Sequence, residues 1–293
     1  MRENKGYIAL VGSALSFSLM TVCVKQLGGR IPVAQIIFTR ALISVALTNW
    51  MINHKGISQW GNKKGLLLLR GLLGTTALVC VFKALMLLPL AIATIIQYTY
   101  PTFTALAAAI FLKEPLKKNI IFSVALGMLG VILVVNQDPT NQNTLSIPIF
   151  AIFIAILGAI LTSLAYICVK ELSKTEDELV IVYYFPFVSL PLTIPFLFFN
   201  AVLPSIVELA WLLGIGLFTQ IGQLLITKGL YLLPAGKAST INYSQVIFAS
   251  ILGLLFFSET ISMQLIIGAL FVLLSIIINF SHKDNLSINQ IKH

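Results

Sequence analysis

LMLLPLAIATIIQYTYPTFTALAAAIFLKE, residues 85–114, and LYLLPAGKASTINYSQVIFASILGLLFFSE, residues 230–259, lie 145 positions apart and align without a gap. From Lys83/Lys228 to Glu114/Glu259, 11 of 32 positions are identical. Membrane composition alone would match leucines, but not Lys, Pro, Tyr and Glu together. The same shift lays Cys23-Val24-Lys25 on Cys168-Val169-Lys170 and Leu27 on Leu172. The chain is therefore expected to hold two copies of one unit, residues 1–140 and 141–293.

What that unit is follows from composition. The 293 residues are 58% hydrophobic and only 10% charged, with a mean hydropathy of +0.97. A soluble domain carries about 25% charged residues to cover its surface. Apolar runs recur along the whole chain, each long enough to cross a hydrocarbon core of about 30 Å. They are continuous rather than alternating, which argues for helices over a β-barrel. Ten spans are predicted, at 7–27, 33–53, 66–88, 90–112, 118–136, 148–171, 179–199, 207–232, 236–257 and 262–280. The first run has no evident small-residue cleavage pattern and reads as a retained span. Short loops join the spans and leave no place for a soluble domain.

Charge sets the orientation. With the N-terminus inside, 14 of the 19 Lys and Arg fall in cytoplasmic segments, and only Lys25 and Arg30 lie outside. This places both termini in the cytoplasm. The net charge of +9 is thus a matter of topology, and no basic surface domain is there to hold nucleic acid. Five spans per copy is an odd number, so the second copy enters the membrane from the opposite side. The expected fold class is an all-α membrane protein with ten transmembrane helices in two inverted five-helix repeats.

The fourth span carries an unusual polar face. On a helix Thr94, Gln97, Tyr98 and Pro101 fall at i, i+3, i+4 and i+7. Pro101 would free the carbonyl of Gln97. The repeat mates are Ser239, Asn242, Tyr243 and Val246, which keep the amide and the tyrosine and lose the proline. Polar groups facing lipid cost several kcal/mol each, so this face points at protein or at a cavity. One reading makes the two amide–tyrosine pairs the lining of a central substrate site. The other makes them glue between helices. Arg40, about 10 Å from the outer end of the second span at 1.5 Å per residue, is either a binding residue or a structural arginine. Tyr166, Gln220 and Gln223 are weaker candidates. Arg70 and Lys83 lie near the ends of the third span and read as snorkelling.

Glu114 and Glu259 are repeat mates, as are Lys83 and Lys228. Two cross-repeat gating pairs, Lys83–Glu259 and Lys228–Glu114, follow from the symmetry. The competing account has each glutamate starting the next helix. None of the ten acids lies mid-span, so proton coupling has no obvious group to carry it. The run Lys174–Glu178 reads as a solvated charge cluster.

Ten spans in two halves, FTRAL at 38–42, ALMLLPLAIATIIQYTYPTFTALAAAIFLKEP at 84–115 and the second ending in FFSE together resemble the EamA-type transporters of the drug/metabolite transporter superfamily. The resemblance implies a carrier with a central cavity and alternating access. Members of that superfamily move amino acids, nucleotide sugars, vitamins or S-adenosylmethionine, and RGLLGTTALVCVFKAL at 70–85 resembles the S-adenosylmethionine-uptake branch. Two departures are the missing proline in the second half and Lys237 near the start of the ninth span.

The expected function is secondary transport of a small organic metabolite, amino-acid or S-adenosylmethionine-like, across a bacterial inner membrane. The partners are that solute and the lipid bilayer; the oligomeric state is open and a monomer fits. An intramembrane enzyme is one alternative, but His54, His282 and His293 all lie in a loop or the tail, so no catalytic, metal or cofactor constellation is expected. The three cysteines, an odd number in apolar segments, argue against a disulfide framework. A channel or scaffold is the other alternative.

Overall fold

The computed structural model describes residues 2–27, 29–88, 96–115, 117–135, 149–257 and 263–281. All regular structure among them is helical: α1 (Arg2–Gln26), α2 (Val33–Lys55), α3 (Lys64–Leu87), α4 (Tyr100–Phe111), α5 (Lys118–Val135), α6 (Ile149–Leu172), α7 (Glu178–Asn200), α8 (Ile206–Leu232), α9 (Ala235–Ile241), α10 (Ser244–Phe257) and α11 (Met263–Ser281). Seven helical stretches, with α9 and α10 taken together as one, are long and apolar enough to cross a membrane, and shorter apolar helices lie within α4, α5 and α11. Helices are what such a sequence must form, because a backbone in hydrocarbon has no water to satisfy its N–H and C=O groups.

The helix ends follow local chemistry. Pro32 precedes α2, and Gly56, at φ 66°, closes it in the left-handed conformation that glycine takes without strain. Asp177 caps α7 by accepting from the Leu179 N–H, and Ser205 with Glu208 forms a capping box at the start of α8.

Packing joins the two halves throughout. Helix α1 lies on α8, and the counterpart pair under the 145-residue shift, α6 and α3, lies together in the same way. The pairs α2–α7, α4–α9 and α5–α11 also cross between the halves. At one end of the bundle Gln35 clasps the backbone of Val202, donating to its carbonyl at 2.7 Å and accepting from its N–H at 2.9 Å. Arg30 and Glu208 pair there at 2.6 Å. At the other end Glu176 is buried and accepts from the N–H groups of Asn62 and Lys63, at 3.0 and 2.6 Å. The loop around Glu176 is therefore more than a solvated charge cluster: it satisfies the unpaired donors at the start of α3.

The opening stretches depart from the continuous helices expected of them. In the first copy the chain turns at Tyr98 and Thr99, and α4 begins at Tyr100 with Pro101 in its first turn. In the second, α9 ends at Ile241 and α10 starts at Ser244. Both turns are made of tight i→i+3 bonds, Thr99 N–H to Ile96 O and Thr102 N–H to Thr99 O in one, Asn242 N–H to Ser239 O and Tyr243 N–H to Thr240 O in the other. Proline explains the first break, since it has no N–H and opens a helix well at its first positions. The second break occurs without one, since Val246 stands where the first copy has Pro101.

Candidate functional site

Arg40, from α2, is 7% exposed and Arg70, from α3, is 3% exposed. Burial of Arg70 overturns the snorkelling expectation, and the cause is its neighbours. Gly71 and Gly74 leave no side chains on this face. A Cβ on Gly71 would meet Val188 and the Tyr184 carbonyl, and one on Gly74 would meet Phe185 and the Arg70 guanidinium itself. Helix α7 can thus press against α3 and cover the arginine.

Phe185 of α7 lies between the two cations. The guanidinium carbons of Arg40 and Arg70 stand 5.3 and 4.7 Å from its ring centroid, within the range of cation–π attraction. Arg70 Nη2 donates to Gln223 Oε1 of α8 at 3.3 Å. Gln220 Nε2 donates to Thr48 Oγ1 at 2.8 Å. The set is incompletely satisfied: Arg70 Nε, Thr219 Oγ1 and Gln220 Oε1 are buried with no hydrogen-bond partner. Arg40, Phe185, Thr219, Gln220 and Gln223, with Ser44 and Ser189, line a cavity of about 10 Å³, room for roughly one water. Among the described residues no carboxylate pairs with either arginine.

The predicted tyrosines form the adjoining wall. Tyr98 and Tyr243 stack with centroids 6.3 Å apart. Tyr100 lies 6.5 Å from Tyr98 and meets Tyr166 edge-on at 5.6 Å. Buried Asn242 lies near Tyr100, and Tyr166 lies within electrostatic reach of Arg70. One tract thus runs from Arg40 through Phe185, Arg70, Tyr166 and Tyr100 to Tyr98 and Tyr243. Two of its contacts join residues one repeat shift apart, Arg40 with Phe185 and Tyr98 with Tyr243, and a further pair of mates, Ser44 and Ser189, lines the same cavity.

The remaining predicted residues are placed less centrally. Gln97 is half-buried beside Tyr98, and Pro101 is buried at the start of α4. Thr94 and Glu259 lie outside the described residues, and with them the Lys83–Glu259 pair; Lys83 is exposed. Lys228 does not meet Glu114. It is exposed and its carboxylate neighbour is Glu178. Glu114 instead accepts from the Ala235 N–H at 3.1 Å. Near it, Lys170 donates to the carbonyls of Leu230 and Leu233 at 2.8 and 2.7 Å, where α8 ends. Lys237 is buried with its ammonium 5.2 Å from the Tyr7 ring centroid.

Sequence reasoning set aside Arg70 and passed over Phe185 and Tyr100. Phe185 had a signal, since it is the repeat mate of Arg40. The glycines after Arg70 were the other. A larger hollow of about 550 Å³ between α4 and α5 is lined by Leu106, Ile121, Leu129 and other apolar groups, with Thr102 the one polar side chain. Those leucines and Ile121 are exposed on the outside of the bundle, where lipid would contact them.

Comparison with known proteins bears on the family and the fold. The pattern of the EamA-like transporter family matches residues 4–136 and again 149–281. The pseudopaline exporter CntI of Pseudomonas aeruginosa is 28% identical over 275 residues, covering 94% of this chain and 95% of that protein. Mouse solute carrier family 35 member G1 is 28% identical over 281 residues, 92% of this chain and 76% of the relative. A solved crystal structure superposes with a TM-score of 0.84 at 15% identity, covering 94% of this chain and 96% of that one; at that identity it speaks for the fold alone.

Proposed function

The chain belongs to the EamA-like transporter family, and from that premise we propose that it is a secondary carrier moving a small organic metabolite through a central site by alternating access. The observation that carries this reading is the meeting of repeat mates in a buried polar tract, Arg40 with Phe185 and Tyr98 with Tyr243, beside a cavity lined by the mates Ser44 and Ser189. Residues touch their own mates only on the axis that relates two copies. Five spans per copy make that axis run in the membrane plane, so the copies are inverted and the site is shared equally between the two faces. Exchange of packing between the copies then turns an inward-open state into an outward-open one. With a cavity of about 10 Å³, the arrangement described here is a closed intermediate.

The gating contacts follow from the same shift. On the inner side Glu114 holds the Ala235 N–H while Lys170 holds the last carbonyls of α8. Lys25, the mate of Lys170, serves the outer side in this reading. Lys83 and Lys228 have no part in it. The Lys and Arg asymmetry favours both termini in the cytoplasm, and a bacterial inner membrane is the location that goes with this reading. The Pseudomonas relative, an exporter by name, favours outward movement.

Counterflow in proteoliposomes tests the reading. Vesicles preloaded with an unlabelled amino acid or organic acid take up the labelled form in a transient overshoot if the protein is a carrier. A monotonic leak, indifferent to the internal load, contradicts it.

A further inference from the structure

Resting on the carrier reading, we propose that the substrate is a small organic anion whose carboxylate is held between Arg40 and Arg70. Arg40 lines a small cavity, and Arg70 is buried behind two of its lining residues, Phe185 and Gln223, close enough for the two guanidiniums to act on each other electrostatically. A charge in such a place is costly unless it is paired and fully hydrogen-bonded. Here neither condition is met among the described residues. The partners of Arg70 are a glutamine and the face of a phenylalanine, and its Nε has none. Arg40 lines the cavity and shares the same ring, 5.3 Å away. Nor can a mid-span acid arrive from elsewhere, because the ten acids all lie in loops, tails or the end turns of helices.

The missing partner is an acceptor of negative charge, and the geometry suits a carboxylate. Arginine presents a planar fork of donors that matches two carboxylate oxygens. A second acceptor of donors, or a donor of its own, would engage Thr219 Oγ1 and Gln220 Oε1, which also lack partners. The aromatic tract from Tyr166 to Tyr98 offers ring faces to the rest of the molecule. Two cations and no anion in the wall favour a solute with net negative charge, a dicarboxylate or an acidic amino acid, over a net cation such as S-adenosylmethionine. The closed cavity is too small for such a solute, so binding requires the site to widen as one side opens.

The test uses the purified full-length protein in detergent. In its ligand-free state, Arg40→Gln and Arg70→Gln each raise the melting temperature by about a few degrees, because each removes an uncompensated buried charge. A fall for both shows them to be structural arginines and overturns the proposal. Succinate, glutamate and citrate are then compared with succinamide and S-adenosylmethionine. Stabilisation by at least one acid, with affinity about 10- to 100-fold weaker in each variant, supports the proposal. A shift from succinamide or S-adenosylmethionine alone, or from none of the acids, overturns it. Counterflow of the stabilising acid reports separately on the carrier reading: an acid that binds through both arginines but does not exchange leaves the anion site standing and ends the transport assignment.

Discussion

Two helix pairs in this molecule cross between the halves at equivalent places and differ in almost everything else. In α5–α11 the backbones nearly touch. A Cβ on Gly130 would meet the Gly268 carbonyl at 2.6 Å. Ser123 and Ser275 each donate to the other's carbonyl, at 2.6 and 2.7 Å. Val131 and Val272 fill the remainder. In α2–α7 the contact holds Arg40, Phe185, Ser44 and Ser189 around a cavity with unpartnered polar atoms beside it. The first pair shows what the chain does when a contact serves only to join helices: small residues, close approach, every polar group answered. The second departs from that rule at a cost of several kcal/mol, which is intelligible only if something else completes it.

The contrast can be broken most severely at the dry pair. Gly130→Val drives a branched side chain into backbone, which cannot move aside, and should cost at least about 3 kcal/mol. Fluorescence-detected size exclusion after heating checks this; a variant as stable as the wild type would mean that the helices are not in close contact. Next is Phe185→Leu, which removes the ring from both arginines at once. Its expected effect is about 2 kcal/mol in substrate binding, roughly 30-fold in apparent Kd, with a melting temperature near that of the wild type. Smaller again is the Ser123/Ser275 pair: a double-mutant cycle with alanines should return about 1 kcal/mol of coupling in thermal stability. The smallest effect is at Thr219. Its hydroxyl is buried without a partner, so Thr219→Val should leave stability unchanged or raise it by about 1 kcal/mol, while slowing counterflow. Loss of stability there would place Thr219 with the dry contacts instead.

Much of this was legible in the sequence. Apolar runs and their spacing gave the helices, because hydrocarbon allows little else. The 145-residue shift marked Tyr98 and Tyr243, whose rings stack. What it could not give was the break in each span. Pro101 announced the first, yet the helix was expected to be continuous through Gln97; the second has no proline to mark it, Val246 standing in its place. Arg70 was misjudged because distance from a helix end says how deep a residue sits, not which way it faces. That was decided by Gly71 and Gly74, whose meaning appears only when α7 lies against them. The Lys228–Glu114 pair rested on symmetry alone, and Glu114 had a nearer donor in the first turn of α9.

The central claim is that the cavity beside Arg40 opens alternately to the two faces of the membrane. Ser44 lines that cavity and can be replaced by cysteine in a protein whose Cys23, Cys80 and Cys168 have been exchanged for alanine. A membrane-impermeant thiol reagent applied to right-side-out and to inside-out vesicles should modify Ser44→Cys from both sides, at rates that substrate alters in opposite directions. Modification from one side only, or from neither, would contradict the account.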